Sequence, residues 1–154
     1  MTRPEAGLLF LRVAFGAFYI YTGGTLIQGF PWTVKNTALL VGEKHAALFS
    51  VGAICLMIGG GLLIVVGLYG EVGAAMTIFF TLPGTWLHRL LRDRSLIISD
   101  QIKKRLQHSD DADLRELTES AWSGNHSSAL KNLVLVAIAI FIMMTGTGPH
   151  SLSR

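Results

Sequence analysis

Charge is what this 154-residue chain lacks over most of its length. Residues 13–34, 45–70, 72–88 and 132–153 contain no Asp, Glu, Lys or Arg. Charged residues make up 15% of the whole, well below the roughly 25% of a soluble domain. The shortage excludes an ordinary water-soluble fold. Cysteine is also scarce: Cys55 stands alone, so neither an intrachain disulfide nor a CxxC redox pair can form. No HExxH or i,i+4 histidine pair is present, and no metal site is expected. No nucleotide fingerprint is present either.

What fills the uncharged runs is Leu, Ile, Val, Phe, Ala and Gly. About 20 apolar residues cross a bilayer as a helix. Three runs exceed that length, and the third reaches it if it extends to Leu91. The reading is an all-α membrane protein, an antiparallel four-transmembrane-helix bundle in a single domain covering 1–154. Its spans are expected near 6–28, 45–69, 71–91 and 129–146. Residues 29–44 and 92–128 are expected as loops, the longer one partly helical. The very short connection at residues 69–71 makes the second and third spans a hairpin.

Fifteen of the 23 charged residues crowd into 89–131. Basic and acidic patches alternate there, which is the pattern of a solvated segment and not of a nucleic-acid tract. Within it, Ile98, Ile102 and Leu106 recur every four residues beside Lys103, Lys104 and Arg105. That spacing suggests an amphipathic helix on an anionic membrane surface. Asp110 and Asp113 suggest an N-terminal cap for a second short helix. The basic residues also predict orientation. Lys35, Lys44 and the eight Lys and Arg of 89–131 lie on the two-loop side. The positive-inside rule then places loops 29–44 and 92–128 in the cytoplasm and both termini outside. This corresponds to a multi-pass protein of a bacterial inner membrane.

Small residues are dense in the spans, among them Gly16, Gly59, Gly60, Gly61 and Gly73. They allow close helix approach, either within one bundle or between copies of the chain. Pro83 removes a helix hydrogen bond from the third span.

Arg12 is the sharpest single residue, because a cation inside a span is costly. It is a candidate for binding an anionic or quinone-carbonyl head group. It is equally a candidate for a structural pair with Glu71, on the same side, or for snorkelling to the interface. Tyr19 and Thr22 share a helix face and could hydrogen-bond a quinone carbonyl or each other's surroundings. His88 closes the third span and His45 opens the second. Both fit interfacial positions. Cys55 reads as a small buried apolar residue.

Two segments resemble the DoxX family. The first is LLFLRVAFGAFYIYTGGTLI, residues 8–27, with Arg followed by glycine and aromatic–glycine residues. The second is the C-terminal LKNLVLVAIAIFIMMTGTGPHSLSR, with Asn132 at its start. The run GGGLLIVVGL is similar to the family's glycine-rich second helix, and His88 falls where a histidine often ends the third. The sequence departs from that pattern in lacking an acidic residue ahead of the second helix's glycines and a lysine ending the first.

The resemblance implies a membrane subunit of a quinone-linked redox complex, of the kind found in thiosulfate:quinone oxidoreductase. It makes Asn132 a further candidate beside Arg12, Tyr19, Thr22 and His88. It implies quinone as a possible ligand, no cofactor in the chain itself, and a protein partner or a second copy. The other reading is a non-catalytic scaffold docking a cytoplasmic partner through 92–128. Transport is disfavoured by the few buried polar groups and the lack of an inverted repeat.

Overall fold

The computed structural model describes residues 2–106, 112–146, 148 and 151–152. These form five helices: α1 (Arg3–Gln28), α2 (Phe30–Val41), α3 (Glu43–Val66), α4 (Gly70–Leu106) and α5 (Ala112–Thr145). Among the described residues there is no strand. Three helical stretches are long and apolar enough to cross a membrane: Arg3–Gln28, Glu43–Val66 and Asp113–Thr145. Their outward surfaces are apolar as well. Phe10, Leu48, Phe49, Phe79, Val134 and Met144 are all exposed, an arrangement suited to lipid rather than water.

α3 is central. α1 and α4 pack on it, α2 lies against it, and α5 packs along α4. α1 meets α3 at Gly16 with Gly61 and Val65 and at Gly23 with Met57 and Ile58, and α4 meets it at Gly73 with Ile64 and at Met76 with Gly59, so both neighbours run antiparallel to it. The buried residues of α1 are Arg12, Phe15, Gly16, Tyr19 and Gly23. That three- and four-residue spacing is one helix face. On α3 the corresponding face carries Ala46, Ser50, Ile54, Met57, Gly60, Gly61 and Ile64.

The closeness of these helices is set by glycine. A Cβ on Gly61 would stand 2.7 Å from the Gly16 carbonyl oxygen, and one on Gly73 2.8 Å from that of Gly60. These glycines serve packing within one chain. Gly52, by contrast, has nothing within 4 Å.

The turn between α3 and α4 occupies residues 67–69. Gly67 is left-handed, at φ 73°. Its N–H and that of Leu68 both reach the Leu63 carbonyl, at 2.9 and 3.1 Å. This Schellman arrangement closes the helix with its last carbonyls satisfied.

Three expectations need correction. Residues 29–44 are not a loop, because α2 fills them. Pro31 sits in its first turn, where a missing N–H costs nothing, and Gly42 at φ 79° ends it. α2 has 12 residues, too few to span, and is tied to α3 by the Ser50 hydroxyl donating to Thr37 Oγ1 at 2.9 Å.

Residues 92–128 are also helical wherever they are described. α4 runs without a break to Leu106 and α5 starts at Ala112. No glycine or proline occurs between Gly84 and Gly124 to interrupt them. The proposed Asp110 cap lies outside the described residues. Finally, Cys55 is exposed on the outer face of α3, not buried.

The segment 71–91, read as a third span, is the first half of α4 and is less apolar than the three candidate spans. Thr77, Thr81, Pro83, Thr85 and His88 account for the difference. The helix nonetheless continues through Pro83. It also buries its polar side, since Thr77, Thr81 and Thr85 are at most 7% exposed.

Candidate functional site

Two polar regions lie along the bundle. The first is a seam between α1 and α4. Thr77, Thr81 and Thr85 stand four residues apart on one face of α4. Thr77 donates to the Ala74 carbonyl at 2.8 Å, Thr81 to Thr77 at 2.6 Å and Thr85 to Thr81 at 2.9 Å. Each hydroxyl is thereby satisfied inside its own helix.

Tyr19 is 1% exposed, and its hydroxyl lies 2.6 Å from Thr81 Oγ1. The single Thr81 proton is already on the Thr77 carbonyl, so Tyr19 is the donor. Phe15, Phe18 and Phe80 surround the Tyr19 ring edge-to-face. Thr22 is half-buried and donates back to the Phe18 carbonyl at 2.8 Å. Both hydroxyls, read as candidates for a quinone carbonyl or for bonds inside the bundle, are thus given to protein acceptors. Tyr19→Phe leaves the packing intact and removes one hydrogen bond. It is expected to lower stability by about 0.6–1.7 kcal/mol, measured as a shift in the unfolding midpoint in mild detergent.

Arg12 lies at one end of the seam and is 3% exposed. Snorkelling would leave its head in water, and that is not what is found. Its Nη1 sits 2.7 Å from where a Cβ on Gly67 would be, with Ser151 Cβ equally close to that position. The guanidinium is therefore enclosed by the α3–α4 turn and the C-terminal segment. Glu71 is exposed. Among the described residues the ion pairs are Arg92–Asp93 and Arg115–Glu119, and none joins Arg12 to Glu71.

The second region is the α4–α5 seam at the other end. His88 Nδ1 is 3.0 Å from Asn125 Oδ1, while the Asn125 amide nitrogen donates to the Ala121 carbonyl at 2.9 Å. With that amide orientation, Asn125 Oδ1 accepts and His88 carries its proton on Nδ1. A neutral His88 then presents Nε2 as an acceptor. One heptad beyond Asn125, half-buried Asn132 faces Gly84, with its Nδ2 3.5 Å from the position of a Cβ there. His88 and Asn132 thus share one seam. Lys131 lies over the Phe18 ring at 6.0 Å from its centroid. His45 is exposed at the start of α3.

Arg12 and His88 are not brought together. Tyr19 pairs with Thr81, and Arg12 and His88 lie seven residues from that pair in opposite directions. At 1.5 Å per residue they are about 20 Å apart along the axis. Among the described residues, no three His, Cys, Asp or Glu side chains form a group able to hold a metal.

Sequence reasoning missed Asn125 and the threonine face. Asn125 was placed in a loop. The four-residue threonine spacing is visible in the sequence, but threonines inside an apolar run do not by themselves show which helix face is buried.

This architecture defines a multi-pass helical membrane protein with a polar interior seam. Residues 7–89 match the DoxX family, and the chain belongs to it. The matched segment covers α1, α2, α3 and the first half of α4, including Arg12, Tyr19 and His88. It ends at Arg89, so α5 and the second half of α4 lie beyond it. No curated protein matches the chain, and no solved structure does.

Proposed function

We propose that the chain is the membrane subunit of a quinone-linked redox assembly of a bacterial inner membrane, and that its catalytic partner docks on the α4–α5 hairpin. The observation that carries this reading is the length of α4. Its 37 residues correspond to about 55 Å, against about 30 Å of hydrocarbon. The first half of α4 crosses as the third span in chain order, bringing the spans to four and returning beside α3. The second half and the start of α5 stand out together on the side that basic residues assign to the cytoplasm, leaving both termini outside. Leu96, Ile97, Ile98 and Leu117 are exposed on this projection. That is an apolar surface on an otherwise charged element.

Quinone, a lipid-soluble two-electron acceptor, suits the His88–Asn132 end better than the Tyr19 region. The Asn132 amide N–H would donate to a quinone oxygen, and His88 Nε2 would accept the hydroxyl proton of the reduced quinol. Tyr19 and Thr22 act structurally in this reading, and so does Arg12 with its turn. The second reading, a scaffold for a partner without redox chemistry, uses the same hairpin.

Native purification with mass spectrometry of bound proteins separates the two. It compares the full chain with a variant in which residues 95–119 become a short Gly–Ser link. An oxidoreductase retained only by the full chain supports the first reading. A non-redox protein retained in the same way favours the scaffold. No partner on either form would remove the docking role. Orientation is tested with Leu117→Cys in a Cys55→Ser background. Labelling by an impermeant reagent is expected only after the membrane is opened, and labelling of intact cells would invert the topology.

A further inference from the structure

A cleft of about 210 Å³ opens between α4 and α5 and is lined by Arg89, Arg92, His126, Ala129, Leu130 and Leu133. A water occupies about 30 Å³ of liquid, so there is room for a small anion with its solvent. We infer that this cleft binds the phosphate group of an anionic amphiphile, held by Arg89 and Arg92 with its apolar part on Leu130 and Leu133. The inference goes beyond the redox reading and does not depend on it.

The cations come first. Arg89 is exposed, and among the described residues its side chain makes no hydrogen bond or ion pair. Arg92 gives Nε and Nη2 to Asp93 Oδ1, at 2.8 and 2.7 Å, which leaves Nη1 to offer a ligand. Arginine forks match phosphate oxygens, and such hydrogen bonds are strengthened by charge. His126 is stacked on Trp122 with centroids 5.1 Å apart, which holds its ring at the wall. Asp93 is the carboxylate paired with Arg92, and it occupies the Nε and Nη2 donors.

The floor argues for a lipid source over free phosphate. Arg89 directly follows the uncharged run 72–88, and Leu133 lies at the start of the run 132–153. The cleft therefore straddles the level where headgroups meet hydrocarbon. Leu130, Leu133 and Val134 are exposed and continue down α5 into that apolar level. A soluble anion has no use for such a track, whereas an acyl chain does. Basic pockets between helices at this depth suit anionic headgroups. The His88–Asn125 hydrogen bond clamps the two helices one residue before Arg89 and one before His126. It fixes the width of the cleft.

The test is native mass spectrometry of the full chain in mild detergent with phosphatidylglycerol or phosphatidylcholine, and with inorganic phosphate as competitor. Phosphatidylglycerol is expected to be retained preferentially. Arg89→Ala/Arg92→Ala should reduce that retention by about tenfold, while Lys103→Ala/Lys104→Ala, which removes two charges elsewhere, should not. Arg89→Lys/Arg92→Lys keeps charge and fold and should lose an intermediate amount. Leu130→Ser/Leu133→Ser should weaken lipid retention without altering any phosphate binding. Equal retention of the two lipids, or equal loss in both double-alanine variants, overturns the site. Displacement of the lipid by millimolar inorganic phosphate overturns the lipid source and assigns the cleft to the free anion.

Discussion

Arg12→Leu is expected to destabilise the detergent-solubilised protein by about 2–3 kcal/mol, because a nearly fully buried guanidinium loses its charge-assisted contacts. Arg115→Leu is expected to change stability by no more than about 0.5 kcal/mol. The contrast follows from surroundings. Arg12 is 3% exposed and enclosed by the Gly67 turn and Ser151. The Arg115 side chain is 77% exposed and pairs with Glu119 one turn away, at 2.8 Å. Arg12→Lys should recover little, since an ammonium cannot reproduce the planar fork. The measurement is the thermal unfolding midpoint of each variant under identical detergent conditions. Equal midpoints for Arg12→Leu and Arg115→Leu would mean that the buried cation contributes only its aliphatic stem.

Gly61→Leu is expected to abolish the folded bundle, and Gly61→Ala to cost about 1–3 kcal/mol. A Cβ at this position meets the Gly16 carbonyl oxygen at 2.7 Å and the Ile20 backbone nitrogen at 3.2 Å. Both are backbone atoms of α1, and a shift of the Ile20 side chain, whose Cγ1 is 3.0 Å away, does not relieve them, so α1 must move away from α3. The movement also separates Tyr19 from Thr81, which ties α1 to α4. Gly52→Leu, on the same helix with nothing within 4 Å, should be tolerated. Size-exclusion profiles and unfolding midpoints of the three variants test the pair. A tolerated Gly61→Leu would show that the α1–α3 crossing is not tight. An assembly broken by Gly52→Leu would show that this open face joins two copies.

The helices of the apolar runs were legible because absence of charge over about 20 residues is a local property that few other structures tolerate. The tight α3–α4 turn followed from the same counting. α2 was not legible. Gly29, Pro31, Trp32 and Lys35 look like a loop, yet the segment is helical and is tied to α3 through Thr37 and Ser50. The continuation of α4 was partly visible in the lack of glycine and proline after Gly84. Dense charge was instead read as a break, although a solvated helix carries charge well.

The candidate site divides in the same way. Arg12, Tyr19 and His88 were singled out as polar groups in or beside apolar runs. Their roles depend on partners far off in the chain. Tyr19 meets Thr81, 62 residues away, and His88 meets Asn125, 37 residues away. By itself the sequence determined that this is a helical membrane protein of the DoxX family, where its apolar helices lie and which buried polar residues need explaining. Hydrophobic run length and residue type are sufficient for that. Only the tertiary structure decided that Tyr19 is spent on a threonine and that Arg12 and Glu71 are not paired. It alone placed Arg89 and Arg92 across a cleft from His126. Those outcomes depend on helix register, and register is set by the close approach of glycines on facing helices, which no single segment encodes.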